Sequence, residues 1–326
     1  MHPAFSVIFL TTLIGVGQGL FLALYTGQLY TLANLLPPQH DPRFYAVGSL
    51  IALVFLAAGL VASIFHLGRP ERGWRAASQW RTSWLSREII VLPLFVVLVA
   101  AYGAVHYLGW TQPLFVVSDT LPVDASLIIG AVGTLTAFLL FVTTAMIYAC
   151  LKFLQEWHSP LTVFNFILLG GASGFTLAAA FSAYTGGGLL GFYGTWAVIL
   201  TLAGFITRGW SLRRNRRLRH KSSLQTAIGV RHSHIEQKAQ GAMGGSFNTR
   251  EFFHGRSPAA LRTIRQFFLL MVFPLPVLLL GVAYQIQSGT LPMVAFALQY
   301  AGLVAERWYF FAEARHPQNL YYQHIS

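Results

Sequence analysis

Charge is scarce in this chain. Only 10% of its 326 residues are charged, 55% are hydrophobic, and the mean hydropathy is +0.57. A soluble domain carries about 25% charged residues, so too little polar surface exists to cover a particle of this size in water. Acids are scarcer still, 10 Asp and Glu against 22 Lys and Arg. Cysteine is almost absent. Cys150 alone is present, which excludes an internal disulfide and an iron–sulfur cluster held by this chain, since a cluster takes about four thiolates. Cys150 lies inside an apolar run and reads as a packing residue. The short alternating strands of a membrane barrel are missing too, because the apolar runs are continuous.

Those runs are what the chain has in place of charge. Several extend over about 20 residues, the length that crosses a hydrocarbon core of about 30 Å. The expected fold is all-α, a single integral membrane domain over 1–326 with eight transmembrane helices. The spans read as 5–33, 44–67, 87–109, 124–152, 160–183, 191–208, 265–287 and 291–312. Met1-His2-Pro3 lacks a basic leader and no small-residue cleavage site ends the first span, so that span reads as a retained helix. Pro93 is expected to kink the third span, and Pro274 and Pro276 the seventh. Between spans six and seven, residues 209–262 are polar and basic. Phe247, Phe252 and Phe253 interleave there with the charges, which points to an arm ordered against a partner.

The net charge of +12 does not point to nucleic acid, because the basic residues gather in connectors between spans. With eight spans, both termini share a side with connectors 2–3, 4–5 and 6–7. Arg43 alone among the 22 Lys and Arg falls in the connectors of the other side, alongside Asp41, Asp119 and Asp124. The positive-inside rule then places both termini in the cytoplasm.

The richest connector is HLGRPERGWRAASQWRTSWLSRE, residues 66–88. It holds Arg69, Arg72, Arg75, Arg81 and Arg87, with Trp74, Trp80 and Trp84 and one acid inside, Glu71. His66 closes the helix before it and Glu88 opens the helix after it. Each could be a helix-end residue favoured by the macrodipole. Ionisable residues at membrane depth are also functional candidates, and two on helices joined by one connector strengthen that reading. A histidine can donate to a quinone carbonyl and shuttle protons near neutral pH. A partly buried carboxyl can accept or deliver a second proton. His66 and Glu88 are therefore the candidate polar pair of a quinone site, with the connector as a docking face. Arg69, Arg72 and Arg75 would share a face if the piece is helical, for lipid headgroups or for acids on a partner. Gln18, among Gly15, Gly17 and Gly19, reads as an interhelical hydrogen bond or a ligand contact. Glu306 and Arg307 read as a structural ion pair or an interface anchor. Haem is not expected, because no two histidines face each other at matched depth.

MHPAFSVIFLTTLIGVGQG, HLGRPERGW leading to LSRE, GGSFNTREFFHG and ERWYFFAEARHPQNLYY resemble the membrane-anchor subunits of the dimethyl sulfoxide reductase family over nearly the whole chain. Within that family the chain is most similar to the anchors of quinone-linked sulfite dehydrogenases. The resemblance implies an anchor in the bacterial cytoplasmic membrane. It would hold an iron–sulfur subunit and a molybdopterin catalytic subunit on the membrane, with ubiquinone or menaquinone and no haem. The family's quinone-site histidine and glutamate map onto His66 and Glu88, with Arg69 and Gln18 as neighbouring candidates. Arg72, Arg75, Arg81, Phe247, Arg250, Phe252, Phe253 and Arg256 are the expected docking residues. Sulfite-oxidising relatives carry the catalytic subunits in the cytoplasm, whereas the reductases, oxidising menaquinol, usually carry them outside. Two other classes remain open on the residues alone: a purely structural anchor, and a transporter, for which internal repeats would be expected.

Overall fold

A computed structural model describes residues 1–37, 43–65, 67–117, 121–186, 188–219, 221–236 and 252–321. His66, Phe247 and Arg250 lie outside the described residues. The long helices are α1 (Phe5–Leu32), α2 (Phe44–Ile64), α3 (Trp84–Tyr107), α4 (Ala125–Ala149), α5 (Pro160–Thr185) and α6 (Leu190–Arg216). A short α7 (Leu224–Ile228) is followed by α8 (Pro258–Val272), α9 (Pro274–Ile286), α10 (Leu291–Glu313) and a terminal turn, α11 (Gln318–Tyr321). Among the described residues, seven segments are long and apolar enough to cross a membrane, α8 and α9 together forming one of them. The eighth expected span is α10. Its 23 residues would reach about 34 Å at 1.5 Å per residue, but Glu306 and Arg307 interrupt its apolar character.

Local chemistry sets the helix ends. Ser83 caps α3 by accepting from the Ser86 N–H, and Asp124 caps α4 by accepting from the Leu127 N–H. Helices α5 and α8 both start at a Ser-Pro pair, Ser159-Pro160 and Ser257-Pro258. Proline suits the first helical position, where its missing N–H would be unpaired anyway. Pro274 separates α8 from α9 at Phe273 by the same missing donor.

Helices α1 and α5 form the centre. In their most apolar stretches 72% and 78% of residues are buried, against 28–44% for the other five spans. Their backbones cross at Gly19 and Gly174. A Cβ on Gly174 would fall inside the van der Waals envelope of the Gly19 and Leu20 backbone, and backbone cannot rotate away as a side chain can. Gly174→Ala is therefore expected to lower stability by at least about 1–3 kcal/mol, the usual cost of overpacking. Thermal unfolding of the purified protein in detergent checks this, and an unchanged midpoint would refute the close crossing.

Helix α8 begins at Pro258, before the expected 265 and inside the expected arm, and three further features depart from the sequence reading or fill in what it left open. Helix α6 continues to Arg216 rather than ending at 208. Arg214 holds the extra turns by donating to the carbonyls of Gln155 (2.9 Å) and His158 (3.1 Å). Between α3 and α4 lies a small antiparallel hairpin, β1 (Phe115–Val117) with β2 (Leu121–Val123). The basic connector folds as a 3₁₀ helix, Pro70–Gln79.

One end of the bundle gathers several chain segments. The Met1 amine donates to the Ala314 carbonyl (2.9 Å) and the Trp157 indole to the Phe310 carbonyl (2.9 Å). The Asn215 amide donates to Glu313 (3.1 Å). The chain start, the α4–α5 connector and the ends of α6 and α10 therefore share one face, as they would if α10 crosses the membrane as the eighth span.

Candidate functional site

Glu88 follows four residues after the first residue of α3, about 6 Å along the axis. The approach to it is fixed. The Arg87 guanidinium lies over the Trp84 ring at 4.1 Å and donates to the carbonyls of Trp80 (2.9 Å) and Arg81 (2.8 Å). The Ser86 hydroxyl donates to the Ala76 carbonyl, tying α3 to the 3₁₀ helix. This geometry turns Glu88 inward, where it is only 7% exposed. The Thr144 hydroxyl of α4 donates to its Oε1 at 2.5 Å.

Glu88 borders an internal cavity of about 20 Å³, with Thr144, Thr12, Gln18, Ser173 and Arg307 among its lining residues. That volume holds about one water. Gln18, buried in α1, donates to the Ala137 carbonyl at 2.9 Å. It makes the interhelical bond expected of it and also faces the same cavity as Glu88. The structure thus brings two of the candidate quinone-site residues together. Arg69 sits elsewhere, exposed at the start of the 3₁₀ helix.

Beyond the cavity lies a cluster of buried charge. The Arg307 guanidinium stacks on Phe166 at 3.7 Å, with its Nη2 3.9 Å from Glu306 Oε2. Glu306 Oε1 is 2.7 Å from Nε of Arg208, which comes from α6 and is 1% exposed. Arg208 Nη1 also lies 3.8 Å from Glu313 Oε2. Glu306 is thus paired across helices as well as with its neighbour. Sequence reasoning missed Arg208, taking it for the end of span six, and missed Glu313. Two acids seven residues apart on α10 face the same way after about two helical turns, and their need for a buried cation was the available signal.

The expected docking residues fall into two groups. Arg72, Arg75 and Arg81 are exposed, with Arg75 over Trp74 (5.6 Å) and Arg81 over Trp80 (5.5 Å). In a 3₁₀ helix residues i and i+3 eclipse, so Arg72 and Arg75 do share a face. Phe252 and Phe253 are half-buried and Arg256 is exposed. Phe252 stacks on His316 at 3.8 Å, and the Asn319 amide donates to its carbonyl at 3.1 Å. One face of Phe252 therefore packs inside the chain, not on a partner. Burial, and then the nearby N-terminal ammonium, lower the pKa of His316.

A carboxyl and an ion cluster buried near one face of a multi-pass helical bundle, behind a basic aromatic connector, define a membrane anchor with polar equipment of its own. The chain matches the DMSO reductase anchor subunit (DmsC) family over residues 1–322 and belongs to it. It is 66% identical, over the full length of both proteins, to a sulfite dehydrogenase subunit of Allochromatium vinosum. It is 27% identical over 130 residues to a chain of the anaerobic dimethyl sulfoxide reductase of Haemophilus influenzae, a match that spans 40% of this protein and 43% of that one.

Proposed function

We propose that this chain is the quinone-exchanging anchor of a sulfite-oxidising complex. The observation that carries the reading is Glu88, a buried carboxyl beside a polar cavity, one helical turn from an exposed arginine and tryptophan connector. The full-length likeness to a subunit of a sulfite dehydrogenase supports the choice of complex.

The residues suit a group whose reduction takes up protons. Glu88 offers a carboxyl, Thr144 a hydroxyl that orients it, and Gln18 an amide nearby. A quinone supplies two-electron, two-proton chemistry when bound. A cavity of about 20 Å³ takes a water and not a ring; His66 and Arg69, which open the connector in sequence, are the residues that would hold the ring. Glu88 then holds or moves a proton at Oε2, while Thr144 stays on Oε1. Iron–sulfur and molybdopterin subunits would dock on the connector, and electrons would pass to the membrane there. No haem or cluster on this chain enters the scheme. The direct test is quinone content. The purified chain is expected to retain quinone, and His66→Ala combined with Glu88→Gln to lose it. A wild-type chain purified without quinone would leave a structural anchor.

The docking face gives a separate expectation. Buried arginine and aromatic anchors dominate many interfaces, at about 2 kcal/mol or more each. Changing Arg72, Arg75 and Arg81 together to Glu should release the soluble subunits from washed membranes while this chain stays inserted. Subunits that remain after a salt wash would refute the face.

Sidedness follows from charge. Holding the connector and the basic stretch 213–221 outside the cell would violate the positive-inside rule, so the catalytic subunits belong in the cytoplasm with both termini. Paired fusions at Ser326 decide it. A fluorescent green fluorescent protein fusion with inactive alkaline phosphatase is expected. The reverse would put that face outside and favour an exported reductase.

A further inference from the structure

The ion cluster stands behind Glu88, and nothing in the proposed reaction yet uses it. Two arginines and an acid almost fully buried within a membrane bundle are costly to keep, because removing charge from water is only partly offset by pairing. The pairing here is incomplete as well. Glu306 Oε2, Arg208 Nη2 and Arg307 Nε are buried without a hydrogen-bond partner among the described residues. Buried polar atoms of this kind are sites for ordered water.

The cluster also has two ends. At the inner end Arg307 lines the cavity that Glu88 lines, and the Tyr148 phenol lies within electrostatic reach of both. At the outer end Glu313 keeps 14% of its side chain exposed and accepts from Asn215, on the face that holds the chain start and the α4–α5 connector. Glu306 and Glu313 occupy the two sides of one guanidinium, Arg208. On the other side of Gln18 the bundle is closed by Leu20, Phe21, Phe95, Val99 and Leu140, each 0% exposed.

We infer that Glu313 and Glu306 relay protons between this face and the Glu88 carboxyl, by way of water held against Arg208 and Arg307. One proton moves and no electron does. Glu313 takes it from the surface, Glu306 receives it through water at Oε2, and a water in the cavity delivers it to Glu88. The arginines do not titrate. They orient the water and hold the carboxylates in place. Glu156, which acts electrostatically on Glu313, and Tyr309, which adjoins it and is hydrogen-bonded to Arg265, set the field at the mouth. The route opens to one face, so protons exchanged at Glu88 return to the side they came from.

The inference rests on the reading of Glu88 given above, but its test needs no quinone. Infrared difference spectroscopy on the purified complex follows protonation of the Glu88 carboxyl after a rapid pH change, with Glu88→Gln identifying the band. Glu306→Gln and Glu313→Gln are each expected to slow that protonation at least about tenfold, with quinone content unchanged. Should Glu306→Gln fail to assemble, Glu313→Gln decides alone, since it leaves the Arg208–Glu306 pair intact. An unchanged rate in every variant that assembles overturns the relay. Loss of quinone turnover in Glu88→Gln would still stand in that case, so the two readings fail separately.

Discussion

Glu88→Gln is expected to slow quinone-linked turnover by about 100-fold or more, the lower range for losing a positioned general acid or base. Assembly should be spared. Glutamine keeps the shape of glutamate and can still accept from Thr144 through its carbonyl oxygen. What it loses is the exchangeable proton. Activity with a soluble artificial acceptor, which draws electrons before they reach this chain, should stay at the wild-type level. The measurement is a pair of assays on the same membranes, one with a quinone analogue and one with the artificial acceptor. A parallel drop in both would mean that the substitution damages docking. Normal quinone kinetics would remove Glu88 from the site. His66→Ala should give the same split between the two assays, because it changes the other member of the pair without touching the Thr144 contact.

Much of this arrangement is legible in the sequence because the bilayer imposes so few solutions. A continuous apolar run of membrane length must be a helix, so the spans follow from hydropathy alone. The Ser-Pro starts at 159 and 257 are equally local, needing only one turn of chain to act. Glu88 could be singled out because a carboxyl just inside an apolar run has few harmless explanations. The pairing of Gln18 with Glu88 could not be read. It depends on how α1, α3 and α4 rotate against one another, and α1 is apolar almost all round, so no stripe in its sequence fixes that rotation. Arg208 was hidden for a related reason. It lies between the apolar stretch of α6 and the basic run at 213–219, and composition merges it with the interface arginines. Only the α6–α10 packing, which continues past the expected span end, separates it from them.

That packing leads to the largest expected effect on stability. Arg208→Met would leave Glu306, 1% exposed, with Arg307 at 3.9 Å as its remaining cation among the described residues, and would remove the cation beside Glu313. Breaking a buried pair on one side costs about 3–5 kcal/mol, because the charge left behind stays uncompensated. A loss of that size is a large share of the stability of an ordinary domain, so the variant should fall to low levels in the membrane. Adding Glu306→Leu should recover much of the loss. Two apolar side chains of similar volume often replace a buried ion pair at little cost, and Glu313 can reach solvent through its exposed edge. The recovery should not be complete, since Arg307 loses its neighbour and must rely on Phe166. The check is the amount of folded protein in washed membranes and its thermal midpoint in detergent, for the wild type, both single variants and the double. If Arg208→Met is as stable as the wild type, the guanidinium is not compensating the acids of α10. If the double variant is no better than the single, the damage comes from lost packing around Phe268, over which Arg208 lies at 5.7 Å, and not from stranded charge. A double variant that assembles yet protonates Glu88 slowly would separate the two roles of the cluster: its charges hold α6 to α10 only as a pair, whereas proton movement needs the carboxyl itself.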